Sequence, residues 1–218
     1  MDNTTSELPL INVMFPVYGR QLPADHGYLL YSAIARCAPI LHKNPRLRLG
    51  LISGVPWREG IIALATRGAS LRLRIPAASY RDILQLTGKR LDIDGHAIRL
   101  GIPSAHALSH ASSLYARIVT IKKFMEPAPF LDAAHRQLDR LEIAAKLELP
   151  LDEQGRFRRR IVRIHGKAVV GFSLAAHELN DDDSIRLQTF GIGGRRSMGC
   201  GFFNPIAKAR AKTDLPEK

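Results

Sequence analysis

Apolar and polar positions alternate along this chain in two successive blocks of similar order. Pro9 to Tyr18 is an apolar, β-branched and aromatic run closed by Gly19, which predicts a buried strand. Asp25 can then cap a helix in which Tyr28, Leu29, Leu30, Ala33, Ile34 and Cys37 share one face, with Pro39 and Pro45 ending it. Period-two alternation over Arg46–Leu51 and again over Leu71–Ile75 predicts two strands, and Ile61–Thr66 lies between them as another. Ala77–Thr87 reads as a short helix and Leu91–Ile102 as a strand pair about the turn Asp94-Gly95. The order is β-α-β-β-α-β.

Pro103–Ser113, rich in Ala, Ser and His, suits a linker, and after it the order repeats. Leu114–Phe124 predicts a strand, Glu126–Ala145 a helix, Lys146–Leu151 an extended segment, and Arg158–Ile164 with Lys167–Leu174 a hairpin about His165-Gly166. Asn180 followed by Asp181, Asp182 and Asp183 starts a helix to about Phe190; acids there complement the helix dipole, so they read as capping rather than metal binding. Gly201–Ile206 would close the second block. Two such blocks predict an α+β fold of two tandem ferredoxin-like (RRM-like) units, residues 1–106 and 107–218, of a kind whose open sheets often face RNA.

Composition adds a partner class. With 45% hydrophobic and 24% charged residues, the 218-residue chain can bury a core, which excludes global disorder. The 32 Lys+Arg against 20 Asp+Glu leave a net charge of +12, which favours polyanionic partners, nucleic acid first. Cys37 and Cys200 are too few for a disulfide framework or, without histidines, a zinc site. The start Met1-Asp2-Asn3 lacks a basic, apolar leader and no run reaches the ~18 apolar residues of a membrane helix, so a cytoplasmic location without membrane contact is expected. No helix-turn-helix or zinc-finger pattern supports a DNA-binding reading. No His/Asp/Glu cluster has metal-ligand spacing, so no cofactor is expected.

The most specific stretch runs from Phe190 to Phe203. Gly191, Gly193, Gly194, Gly199 and Gly201 surround Arg195-Arg196-Ser197, a loop whose backbone can approach another chain closely. No Gly-Lys-Ser/Thr follows at Walker spacing, and the segment follows a predicted helix rather than a strand, so both nucleotide-fold readings fail. What remains is a phosphate-gripping loop, or more plainly a tether with two solvated arginines. A second basic stretch holds Arg156, Arg158, Arg159, Arg160, Arg163 and Lys167 with no acid between Gly155 and Lys167; it can track a phosphate backbone, or simply keep a sheet edge from aggregating. Lys122 and Lys123 could extend this surface. Trp57, after Val55-Pro56, is expected on a loop, packed rather than stacking a base.

The element order, the segment Leu22-Pro23-x-x-His26-x-Tyr28-x-Leu30, the step Leu41-His42 and the glycine-rich run Gly191–Gly201 resemble the CRISPR-associated repeat-processing endoribonucleases of the RAMP superfamily. The wording Arg-Arg-x-Met-Gly-Cys-Gly-Phe-Phe is similar to the myxococcal-type variant. The resemblance implies metal-independent cleavage of precursor CRISPR RNA at a repeat stem-loop. The ribose 2′-OH would attack the adjacent phosphate and leave a 2′,3′-cyclic phosphate and a 5′-OH. It also implies retention of the mature crRNA and association with CRISPR effector complex subunits. A non-catalytic crRNA-binding subunit of the same fold is the alternative. This chain is short for the family and its second unit has abbreviated connections, so RNA contacts beyond the glycine loop do not carry over.

Such chemistry needs a proton acceptor, a proton donor and groups that stabilise phosphorane charge, and histidine can serve either proton role near neutrality. The chain has eight histidines; the family places its catalytic one at either end of the first helix or just beyond, which selects His26 and His42. A helix N-terminus favours neutral His26 as a base, and the position beyond the C-terminus favours His42 as an imidazolium. Position before the second strand points to His42, the His-x-Tyr context to His26. Tyr28, Tyr31, Ser32 and Lys43 are candidate donors, Tyr28 and Lys43 foremost, although Tyr28, Tyr31 and Ser32 lie on a helix whose apolar face must pack.

Overall fold

The computed structural model describes residues 9–42 and 44–206, with the side chain of His42 outside the described set. Elements run in chain order as strand β1 (Leu10–Tyr18), β2 (Gln21–Pro23), helix α1 (Gly27–Cys37), α2 (Pro39–His42), β3 (Arg48–Leu49), β4 (Val55–Arg58), β5 (Ile61–Ala63), β6 (Ser70–Pro76), α3 (Tyr80–Leu84), β7 (Arg90–Ile93), β8 (His96–Leu100) and β9 (Ser104–Ala107). The second half holds β10 (Leu114–Val119), α4 (Pro127–Asp139), β11 (Lys146–Glu148), β12 (Arg159–Ile164), β13 (Lys167–His177), α5 (Asp181–Phe190) and β14 (Phe203–Pro205).

In the first half the strands order as β3-β6-β1-β8-β7, antiparallel throughout, with β9 also paired to β1. Alternation works as expected on β7 and β8, where Leu91, Ile93, Ile98 and Leu100 turn inward while Arg90, Asp92 and Arg99 face solvent. Asp94 and Gly95 both take positive φ, 55° and 78°, in the turn between them. The second half orders as β11-β13-β10-β14 with β12 on β13. Asn180 caps α5 by accepting from the Asp183 amide at 2.8 Å, and the Asp183 carboxylate accepts from the Ala144 amide, so the acidic triplet closes a helix end.

Several local expectations give way to packing. Strand 46–51 shortens to Arg48–Leu49, helix 77–87 becomes a 3₁₀ turn plus Tyr80–Leu84, and the presumed linker contains β9, recruited by the free edge of β1. Trp57 is 63% exposed, because β4 is the outer strand of a small β2-β5-β4 sheet and all four of its residues face solvent.

The halves are joined through Arg74. From β6 its buried guanidinium donates to the Gln188 carbonyl near the end of α5 (2.6 Å), to the Phe203 carbonyl on β14 (3.2 Å) and to the Asn12 side chain (3.0 Å), and it stacks on Phe202. A buried cation needs such saturation to be tolerated.

Candidate functional site

His26 sits immediately before α1 and is fully buried. Its Nδ1–H donates to the Pro23 carbonyl at 2.8 Å, and its Nε2 accepts from the Ile52 amide at 3.1 Å. The amide can only donate, so the tautomer is set. Burial pushes the imidazole down to about 4, with the Pro23 bond opposing and Arg117 adding to the drop. Both nitrogens are spent on main chain, which corrects the expectation that His26 serves as base: it ties α1 to the segment after β3.

Tyr28 is also redirected. Its phenol lies 3.0 Å from Nδ1 of His165 at the turn of the β12–β13 hairpin. His42 is the last residue of α2, and Lys43 lies outside the described residues.

Two residues past His42 the chain lines a cavity of about 320 Å³, formed by Tyr31, Asn44, Pro45, Leu47 and Arg48 on one side and Gly194–Met198 on the other. Among the described residues no carboxylate lines it, while Arg48, Arg195 and Arg196 do. Arg48 is 8% exposed; its guanidinium donates to the Pro45 carbonyl at 2.7 Å, and its Nε finds no partner among the described residues. Burial, then the charges of Arg196 and Arg46, pull it down to about 10, so it is still cationic at neutral pH. An arriving anion would relieve this repulsion. Sequence reading missed Arg48 because its alternating context reads as the solvated face of a strand; pairing with β6 in fact turns it inward.

The glycine-rich segment reaches this cavity by folding tightly on itself. A Cβ on Gly191 would meet the Gly201 carbonyl at 2.5 Å, and one on Gly201 the Ile192 carbonyl at 2.4 Å, both at positive φ. Gly191, Gly199 and Gly201 are buried, Gly193 donates its amide to Gln137, and Gly194 and Arg195 are exposed. Direct contact by all five glycines is thereby corrected: the buried three shape the loop, and Gly194, Arg195, Arg196 and Ser197 form its open side. Arg196 is steadied by the Phe190 carbonyl.

The arginines of the second basic stretch divide. Arg156 is held by Asp152 at 3.0 Å and Arg158 donates to the Leu151 carbonyl. Arg159, Arg163 and Lys167 are exposed along the hairpin, and Arg160 turns into a larger cleft of about 760 Å³ with Arg72, Tyr115 and Arg117. Burial lowers Arg72 and Arg117 as well, and the Nε atoms of Arg72 and Arg160 are buried without partners among the described residues. Among the described residues no three His, Cys, Asp or Glu side chains gather as a metal site, and no helix is long and apolar enough to cross a membrane.

Residues 11–208 match the family model described as Cas6 Crispr. A protein of Myxococcus xanthus (strain DK1622) named CRISPR-associated endonuclease Cas6 is 43% identical over 199 residues, covering 91% of this chain and 83% of its own length. Among solved structures, one titled CRISPR associated protein Cas6 aligns with a TM-score of 0.64 at 13% identity, covering 90% of this chain and 99% of its own. A Cas6-related protein from Pyrococcus furiosus gives 0.62 at 14% identity over 93% of this chain and 100% of its own, which speaks for the fold. With the family model spanning nearly the whole chain and a relative this close, the chain belongs to the Cas6 family of CRISPR-associated endonucleases.

Proposed function

We propose that this chain cleaves precursor CRISPR RNA within the repeat by attack of a ribose 2′-OH on the adjacent phosphate, leaving a 2′,3′-cyclic phosphate and a 5′-OH. The observation that carries the reading is the arginine-lined cavity between the residues following His42 and the open side of the glycine-rich loop. The scissile phosphate sits there against Arg48, Arg195 and Arg196, whose charges oppose what develops on the phosphorane. His42 performs the proton transfer, with Lys43 as an accessory cation. Arg159, Arg160, Arg163 and Lys167 grip the backbone of the repeat stem-loop, consistent with shape and phosphate recognition of folded RNA.

The strand orders of the two larger sheets, β3-β6-β1-β8-β7 and β11-β13-β10-β14, support tandem ferredoxin-like units, 1–106 and 107–218. The protein works in the cytoplasm, keeps its cleaved product and delivers it to effector complex subunits. The experiment is cleavage of cognate repeat RNA in EDTA, alongside the same RNA carrying a 2′-deoxy nucleotide before the cut. The first is cut to a cyclic phosphate end and the second stays intact. RNA that is bound but uncut in both would mark the chain as a binding subunit instead.

A further inference from the structure

The β12–β13 hairpin stands apart from the rest of its sheet. β12 pairs only with the first half of β13, while β11 occupies the second half, so the arginine-bearing hairpin extends as an arm from the second unit toward the first. Its tip lands on the start of α1 through two contacts. The Asp25 carboxylate accepts from the Arg163 amide at 2.5 Å, and the Tyr28 phenol meets His165 Nδ1 at 3.0 Å with ring centroids 4.6 Å apart. His165 takes φ 49° beside Gly166 at 75°, a tight turn that presents its ring from the end of the arm.

Behind the contact lies a cavity of about 350 Å³ lined by Asp25 and Gly27, by Arg159 and Arg160 of the arm, and by Met198 of the glycine-rich segment. Burial raises the Asp25 carboxyl, opposed by the Arg163 amide and by the charges of Arg163 and Arg117; ionised, it is the acid in this lining facing the arm's cations. The start of α1 is thus a common seat for both RNA-gripping segments.

We infer that Tyr28 and His165 form a latch that positions the arginine arm on α1, so that Tyr28 is a positioning residue and not a proton donor to RNA. The inference rests on the proposed RNA-processing role. Without this contact the arm keeps its arginines and its Asp25 bond but its tip is less fixed in orientation, so RNA affinity falls while the chemical step on fully bound RNA does not change.

The test compares wild type with Tyr28→Phe, His165→Ala and the double variant, using repeat-RNA affinity, single-turnover cleavage at saturating enzyme, and amide hydrogen exchange of residues 159–170. Each single variant is expected to weaken affinity roughly fivefold, the range of one net hydrogen bond. The double variant is expected to be no weaker than either single, saturating cleavage to stay within about twofold of wild type, and exchange along the arm to rise. A large fall in saturating cleavage for Tyr28→Phe with affinity intact would make the phenol catalytic and overturn the latch. Additive losses in the double variant, or unchanged arm exchange, would overturn it too. Exchange needs no cleavage, so a wild-type protein that binds but does not cut defeats the nuclease reading while leaving the latch measurable.

Discussion

A histidine with both ring nitrogens bonded to main chain cannot trade protons with a substrate, and His26 is in that position. Its low proton affinity has a consequence for stability instead. The native ring titrates near 4 and the unfolded one near 6.5, so between these values the unfolded chain binds more protons and stability falls as pH drops. The full effect is about 3 kcal/mol, reached below pH 4. Urea unfolding at pH 7 and pH 4.5 is therefore expected to show a larger acid loss for wild type than for His26→Gln. Equal losses would mean that the ring does not stay neutral in the fold. The sequence could not separate His26 from His42, since helix-end position carries no information about what lies above the ring; here Ile52 and Pro23 do.

At the scale of elements, the glycine-rich segment depends on α1 as much as on its own glycines. A Cβ on Gly27 would come within 2.2 Å of the Met198 carbonyl, which is backbone and cannot swing aside, whereas one on Gly194 meets nothing within 4 Å. Gly27→Ala is expected to cost about 1–3 kcal/mol of stability, as overpacking does, while Gly194→Ala stays within about 0.5 kcal/mol. Thermal unfolding of the two variants checks this, and equal Tm values would show that the loop is not seated on the helix. Elements with local signals were legible: β1 from its apolar run, the Asp94-Gly95 and His165-Gly166 turns from residues that tolerate positive φ, and α5 from its Asn180 cap. Elements defined by a partner were not. β9 exists because β1 has an open edge, and β4 is exposed, Trp57 included, because it is the outer strand of its small sheet. The cavity was half legible: Arg195 and Arg196 announced themselves through the glycines, but Arg48 acquires its role only by pairing with β6.

For the whole molecule, the two halves of the chain are joined by the Arg74 hydrogen bonds and by the contact of the hairpin arm with Asp25. Between them lies positive charge concentrated on Arg48, Arg72, Arg117, Arg160 and Arg196, and among the described residues of the cavity linings Asp25 is the acid that opposes it. This is costly for a protein alone and useful for one that receives a polyanion, since bound phosphates supply the missing counter-charge. The central claim is that the cavity shared by the residues after His42 and the open side of the loop holds the reacting phosphate. It is tested most directly by single-turnover cleavage of repeat RNA at saturating enzyme with His42→Ala and Arg48→Met. The account predicts a fall of about 10²-fold or more for each, in the range for loss of an acid–base group or of a charge-stabilising donor, with RNA still bound. Wild-type cleavage rates in both variants would contradict it.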